Sequence, residues 1–388
     1  MEEWKKYHIG DICESVSETY RRKSDKVVLV NTSDVLDGVC LNHSLVENKD
    51  LKGQFKKSFR KNDILYSEIR PANKRFAFID FDPTDYVAST KLMVIRSSEL
   101  VRPRYLFHFL KRQEMLDELQ ALAESRSGTF PQITFSELSL FEISLPCLET
   151  QDRIVAAIDA FENRISLNNR INHNLEEQAQ AIYKSWFVDF EPFKDGKFVD
   201  SSLGQIPEGW KVKNLLEIAQ LYDSKRKPLS GNERSQMEKI YPYYGATSIM
   251  DYVDDYIFDG TYLLMGEDGS VMTDEGFPFL QYVTGKFWPN NHAHVMQGCG
   301  GLSTEMLHCA LLRKVIKSSV TGAVQAKISQ ANMRKILFPY PPASVITRFD
   351  CIIQEFYKQI RNIGEQNVHL SILRDCLLPK LLSGQLIV

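Results

Sequence analysis

The side chains in this sequence best suited to chemistry are a pair of histidines and several groups of arginine and lysine. His292 and His294 stand two apart in Asn-His-Ala-His-Val; on a strand both imidazoles would leave one face, a geometry that metals use. Two ligands do not make a site. Glu267 and Asp268 lie in a turn flanked by Gly266 and Gly269, so no third ligand is evident by spacing, and packing or a nucleic-acid contact is expected of the histidines instead of a metal. The seven cysteines, Cys13, Cys40, Cys147, Cys299, Cys309, Cys351 and Cys376, are scattered with no CxxC pair. That pattern speaks against zinc and redox work, and they are expected to be reduced and mostly buried. A Walker A glycine loop is missing as well, which leaves ATP chemistry no seat.

The cations are grouped. Tyr20-Arg-Arg-Lys, Gln54-Phe-Lys-Lys-Ser-Phe-Arg-Lys, Ile69-Arg-Pro-Ala-Asn-Lys-Arg and Ser224-Lys-Arg-Lys-Pro offer guanidinium and ammonium groups of the kind that meet phosphates and guanine edges. The candidate contacts are Arg21, Arg22, Lys23, Lys56, Lys57, Arg70, Lys74 and Arg75 early in the chain, and Lys225, Arg226, Lys227 and Tyr244 later. Tyr244 is included because Tyr243-Tyr-Gly-Ala-Thr-Ser could bring backbone and an aromatic edge close to a groove; a core role suits the tyrosines equally well. A charge run taken alone is as often a solvated face. The formal net charge of −3 also excludes a simple nucleic-acid coat, for which a basic balance is usual.

What must position these groups becomes visible when the chain is laid on itself. Ile133 falls on Ile328, Pro146 on Pro341, Arg153 on Arg348, Ile158 on Ile353, Phe161 on Phe356 and Leu175 on Leu370. The openings correspond too, Trp4-Lys-Lys-Tyr-His-Ile-Gly-Asp-Ile with Trp210-Lys-Val-Lys-Asn-Leu-Leu-Glu-Ile. Each copy has a mixed front, with short apolar runs such as Val27-Val-Leu-Val and Leu92-Met-Val-Ile between turn residues, and a helical back. Phe338-Pro-Tyr-Pro-Pro superficially matches the Asn-Pro-Pro-Tyr signature of adenine methyltransferases. It lacks the leading Asn or Asp that would bind the target amino group, and the repeat places it at a helix entrance.

No glycine or proline interrupts Leu148 to Glu191, and the second copy tolerates only Gly364 before Pro379. A four-three spacing picks out Ile154, Ile158, Phe161, Ile165, Asn168, Asn172, Leu175, Ala179, Ile182 and Trp186 in the first copy. In the second it picks out Phe349, Ile353, Phe356, Ile360, Ile363, Asn367, Leu370, Arg374, Leu377 and Leu381. Helices of about 35 to 40 residues would run roughly 50 to 60 Å. Asn168, Asn172 and Asn367 make the seam polar in its middle, which costs stability but can fix register, and antiparallel pairing would bring these midpoints together.

Leu145-Pro-Cys-Leu-Glu-Thr-Gln-Asp-Arg-Ile-Val, followed by Asn169-Arg-Ile-Asn-His-Asn-Leu-Glu-Glu-Gln-Ala-Gln-Ala-Ile-Tyr-Lys-Ser-Trp-Phe-Val-Asp-Phe-Glu-Pro-Phe, resembles the central spacer of the specificity subunits of Type I restriction-modification enzymes. Gly209-Trp, Gly266-Glu-Asp-Gly, Asn290-Asn-His-Ala-His-Val and Leu377-Leu-Pro-Lys-Leu-Leu-Ser-Gly-Gln-Leu extend the resemblance over essentially the whole chain. One departure stands out: Ile346 occupies the place where a glutamine corresponding to Gln151 is usual. The resemblance implies an α+β fold with two similar target recognition domains, residues 1–147 and 206–342, separated by two long helices that pair as an antiparallel coiled coil about a pseudo-two-fold internal repeat. The central spacer helix and linker would be residues 148–205 and the distal spacer helix residues 343–388.

It further implies a non-catalytic, cytoplasmic subunit that reads double-stranded DNA in two half-sites, its helices setting the gap. Two methyltransferase subunits would dock on it and restriction subunits could join. The chain itself would hold no cofactor: S-adenosylmethionine would sit on the methyltransferase partner, ATP and Mg on a motor or nuclease partner. The rival readings are an enzyme in its own right, which the absent motifs disfavour, and a coiled-coil protein adaptor without DNA reading. No apolar stretch approaches the ~18 residues of a membrane span, so no membrane is expected.

Overall fold

The computed structural model describes residues 4–22, 24–49, 53–125, 131–322 and 326–386. Contacts divide the chain into two compact units, Met1–Ser166 with Val368–Val388, and Leu167–Asn367. Neither long helix is a unit of its own, because each is shared between the two.

In the first unit a four-stranded antiparallel sheet runs in the order Cys13–Val16, Leu92–Ser97, Ile64–Ser67, Phe76–Phe78. A second sheet, in the order Leu45–Glu47, Lys26–Val30, Tyr86–Ser89, Phe55–Lys57, contains one parallel pair. The strand Lys5–His8 pairs with Glu142–Leu145, which sets the opening of the chain beside the entrance to the first long helix. Pro103 at the first turn starts a helix to Leu110 whose last six residues are all buried.

The second unit repeats this plan. Its sheet runs Ala219–Leu221, Ala293–Gly298, Phe258–Gly266, Leu280–Pro289 in the same antiparallel sequence of neighbours, then adds Tyr241–Tyr244 and Ile249–Val253. Lys211–Asn214 pairs with Leu337–Tyr340 as Lys5–His8 does with Glu142–Leu145. Helix Thr304–Leu312, capped by the Ser303 hydroxyl accepting from the Met306 N–H, takes the place of Pro103–Leu110.

The backs of the repeat are helices Leu148–Phe187 and Ala343–Leu382, of 40 residues each. Within the first unit Ile154 and Ile158 share a core with Leu378, Leu381 and Leu382; within the second, Leu175, Ala179, Tyr183 and Phe187 share one with Phe349, Ile353, Tyr357 and Ile360. As numbers rise along one helix they fall along its partner, so the pairing is antiparallel. The other seam positions, Phe161, Ile165, Asn172, Ile182, Phe356, Asn367, Leu370 and Leu377, are half-buried. Asn168 donates to the Asn367 side-chain oxygen at 2.8 Å, Asn367 donates on to Asn169 at 2.8 Å, and Asn172 donates to the Ile360 carbonyl at 3.3 Å.

Tyr183, Phe187, Tyr357 and Leu378 lie off the four-three seam yet are buried. Each helix therefore covers two apolar faces, one on its partner and one on a domain, and a search for a single stripe finds only the first. Gln151 is completely buried at the helix entrance; its oxygen accepts from the Arg102 N–H at 2.8 Å, and its amide donates to the carbonyls of Leu100 and Pro146. Ile346 is simply apolar core at the second entrance.

The cysteines depart from expectation. Cys13, Cys40 and Cys309 are buried, but Cys147, Cys351 and Cys376 are exposed, since the last two fall on the outward face of a helix that buries only its seam and domain sides. Among the described residues no helix is long and apolar enough to cross a membrane.

Candidate nucleic-acid interface

The repeated sheet brings one end of each domain to the same construction. In the first unit the Glu68 N–H donates to the Lys91 carbonyl, the Ile133 N–H to the Glu68 carbonyl and the Arg70 N–H to the Pro131 carbonyl. In the second the Glu267 N–H donates to the His292 carbonyl, the Ile328 N–H to the Glu267 carbonyl and the Gly269 N–H to the Ala326 carbonyl. Glu68 thus corresponds to Glu267, Lys91 to His292 and Arg70 to Gly269.

At this end of the second unit three segments that are separate in sequence converge. The Lys227 carbonyl accepts from the Trp288 indole at 2.6 Å, the Asn290 N–H donates to Tyr244 at 2.9 Å, and Gln281 donates to the Gly245 carbonyl at 3.0 Å. Lys225 and Lys227 are exposed there, and Tyr244 is half-buried with its ring edge-on to Phe287. Arg226 does not share their freedom. Its guanidinium is turned inward onto Glu267 at 2.7 Å and the Ala293 carbonyl at 2.6 Å, so it clasps the domain and is not offered to DNA.

The histidines part ways. Only His294 lies in the strand Ala293–Gly298; His292 is exposed in the turn before it and meets Asp268 at 2.5 Å. The His294 ring is buried, with Nδ1 2.6 Å from Asp223 and 3.6 Å from Glu267, and Nε2 2.9 Å from the Ile328 carbonyl. Burial pushes the Asp223 carboxyl up, but bonds from His294, the Val295 N–H and Gln330 outweigh it and hold the group below the usual carboxylate range. Asp223, Glu267 and His294 have the donor set of a metal site. Arg226 and Lys327 already pair with the two carboxylates, which makes the cluster an internal ion-pair clasp. Sequence spacing could not reveal this, because Asp223 approaches from the short turn Asp223–Lys225, far from Glu267 and His294 in the chain.

In the first unit Arg21 and Arg22 are exposed and, with Tyr20, Arg60, Lys61 and Asp82, line a cavity of about 330 Å³. Lys23 lies outside the described residues. Lys56 and Arg70 are exposed and Lys74 is half-buried. Lys57 and Arg75 turn inward: Lys57 donates to the Leu92 carbonyl at 2.8 Å, with burial pushing its ammonium pKa down, and Arg75 donates to the carbonyls of Ser33 and Val35. In both, a half-buried stem carries the head group to backbone carbonyls, a competition that charge counting ignores. Lys91 and Lys327 also stand at these loops and were not singled out; extending the repeat forward to Glu68 and Glu267 would have located Lys91 as the counterpart of His292.

Two copies of one α+β domain, each followed by a long helix and each presenting cations on irregular loops, form the arrangement described by the Type I restriction modification DNA specificity domain. That family's model matches residues 1–177 and again 207–370, and the chain belongs to the family. It is 28% identical to the specificity subunit of the Type I restriction enzyme HindI of Haemophilus influenzae across 100% of both chains. It is 27% identical to that of MjaIX of Methanocaldococcus jannaschii, over 73% of this chain and 68% of the relative. The solved S subunit of a Type I restriction-modification system from M. genitalium shares the fold at 16% identity, with a TM-score of 0.52 over 98% of this chain and 96% of that one.

Proposed function

We propose that this chain is the DNA-reading subunit of a Type I restriction-modification system. Each repeat reads one half of a bipartite duplex target, and the helix pair sets the number of unread base pairs between the halves, much as dimer geometry sets half-site spacing. The observation that carries the reading is the matched loop end of the two domains, the same hydrogen bonds presenting different side chains. That is how one scaffold would read two different half-sites.

Chemistry belongs to partner chains in this reading. Two methyltransferase subunits carrying S-adenosylmethionine would modify adenine N6, which requires the base to leave the stack. Restriction subunits using ATP and Mg would join where they are encoded. The test is to co-express the chain with its genomic neighbours, purify the complex and map N6-methyladenine in host DNA by single-molecule sequencing. A split motif with a fixed gap, lost when this chain is deleted, is expected. A stable complex that marks no such motif would overturn DNA reading and favour a coiled-coil adaptor.

A further inference from the structure

The internal repeat serves as a control on itself, and at one position the two copies disagree in an informative way. Arg70 and Gly269 are equivalent by their backbone bonds to Pro131 and Ala326. Gly269 has φ +75° and Arg70 has φ +46°, so the turn after this strand demands the left-handed region in both copies. Glycine enters that region freely, whereas an L side chain meets its own carbonyl there. A Cβ built on Gly269 would meet nothing within 4 Å, so the backbone conformation, and not crowding, is what favours glycine here.

The first copy nevertheless places an arginine in this strained conformation and follows it with Pro71, which narrows the backbone further. The same three-residue turn, Pro71–Asn73, ends on Lys74, again left-handed at φ +52°. Among the described residues the other non-glycine positions of this kind are Asp37, Asn62 and Phe190; Asp and Asn are common occupants of the region. Two basic residues bracketing one turn in an unfavourable conformation are what a loop looks like when the direction of a side chain matters more than local strain. Arg70 is exposed, on the same loop end that carries Lys91.

Resting on the DNA-reading function proposed above, we infer that Arg70 is a specificity-determining residue that reads a base edge in the half-site of the first repeat. A phosphate contact needs only a cation on a flexible stem. A guanidinium fork on guanine O6 and N7 needs a fixed approach, which a rigid, strained turn supplies.

The full chain is assembled with its methyltransferase partner and titrated with duplexes carrying the mapped split motif, each base pair of both halves changed in turn. Arg70→Gly is expected to weaken the cognate duplex roughly ten- to hundred-fold and to relax preference at one base pair of one half only. Arg70→Lys should keep the charge and fail to restore the preference. An unchanged motif and affinity, or a uniform loss over all sequences, would each overturn the assignment. A wild-type complex that marks no split motif would instead sink the underlying function, so the two failures are told apart.

Discussion

Each repeat fastens its domain to a long helix through the same pair of helix positions, and the two copies use opposite chemistry. In the first unit Arg104 donates to Asp159 and Glu162 at 3.1 Å, Lys111 pairs with Glu162, and His108 Nε2 lies 2.9 Å from Asp159. The cations are on the domain and the carboxylates on the helix. In the second unit the places of Asp159 and Glu162 are taken by Gln354 and Tyr357. Gln354 donates to Glu305 at 2.9 Å, Tyr357 meets the His308 ring at 2.7 Å, and Arg361 donates to Glu305 at 3.0 Å. Here the carboxylate is on the domain. A repeated fold thus keeps its apolar frame and lets the polar contacts diverge, because backbone pairing and core volume are set by the scaffold while a buried charge needs only some matching partner.

The apolar side of this contrast predicts the largest effects. Phe349, completely buried and packed edge-on against Phe187 at 4.7 Å, corresponds to Ile154 in the first copy. Phe349→Ala should cost about 3 to 5 kcal/mol and Ile154→Ala about 2 to 4 kcal/mol. Denaturant unfolding followed by hydrogen exchange in each unit separately would measure both, and a smaller loss at Phe349 would break the ranking.

Next comes acid sensitivity. Burial pushes the His308 imidazole down to about 4. The unfolded histidine takes its proton near the ordinary value of about 6.5, so its contribution is full above that pH and is lost as pH falls towards 4. The loss should reach on the order of 3 kcal/mol across that window. The stability of His308→Gln should fall less steeply from pH 6.5 to 4 than that of wild type; identical slopes would show that this histidine does not set the acid response.

The charged clasp of the first unit should weigh less. Asp159→Ala takes the partner of the His108 ring and leaves Arg104 with Glu162 alone, at an expected cost of about 1 to 3 kcal/mol that shrinks in high salt. Salt should scarcely touch the effect of Tyr357→Phe in the second unit, and equal salt dependence would erase the distinction between the two junctions.

The smallest change is expected at the helix midpoint. Asn367→Leu alone leaves the buried Asn168 amide without its acceptor and should cost about 1 to 2 kcal/mol, while the double replacement with Asn168→Leu should come within about 1 kcal/mol of wild type. A double variant as weak as the single one would mean that these asparagines do more than satisfy each other.

The sequence made the long helices, their antiparallel seam and the repeat legible because those features are periodic and local: prolines mark the entrances, and a four-three spacing marks the face. The Ala219–Leu221 sheet order was not legible, since strands joined by long loops leave no spacing to read. Among the site candidates, Lys225 and Lys227 are exposed as charge alone would suggest, whereas Arg226 between them is an internal clasp. Nothing in Lys-Arg-Lys tells these fates apart; the difference lies in Glu267, which only the folded sheet brings near.

The division of the chain into units has a consequence for the order of assembly during synthesis. Leu167–Asn367 is continuous, so every partner in its core has left the ribosome once Asn367 has. Ile154 and Ile158 are made much earlier but share their core with Leu378, Leu381 and Leu382, which emerge only after Asn367. Of the two domains the one translated earlier is therefore finished later, and until then it carries an uncovered apolar helix face, a natural point for chaperone engagement.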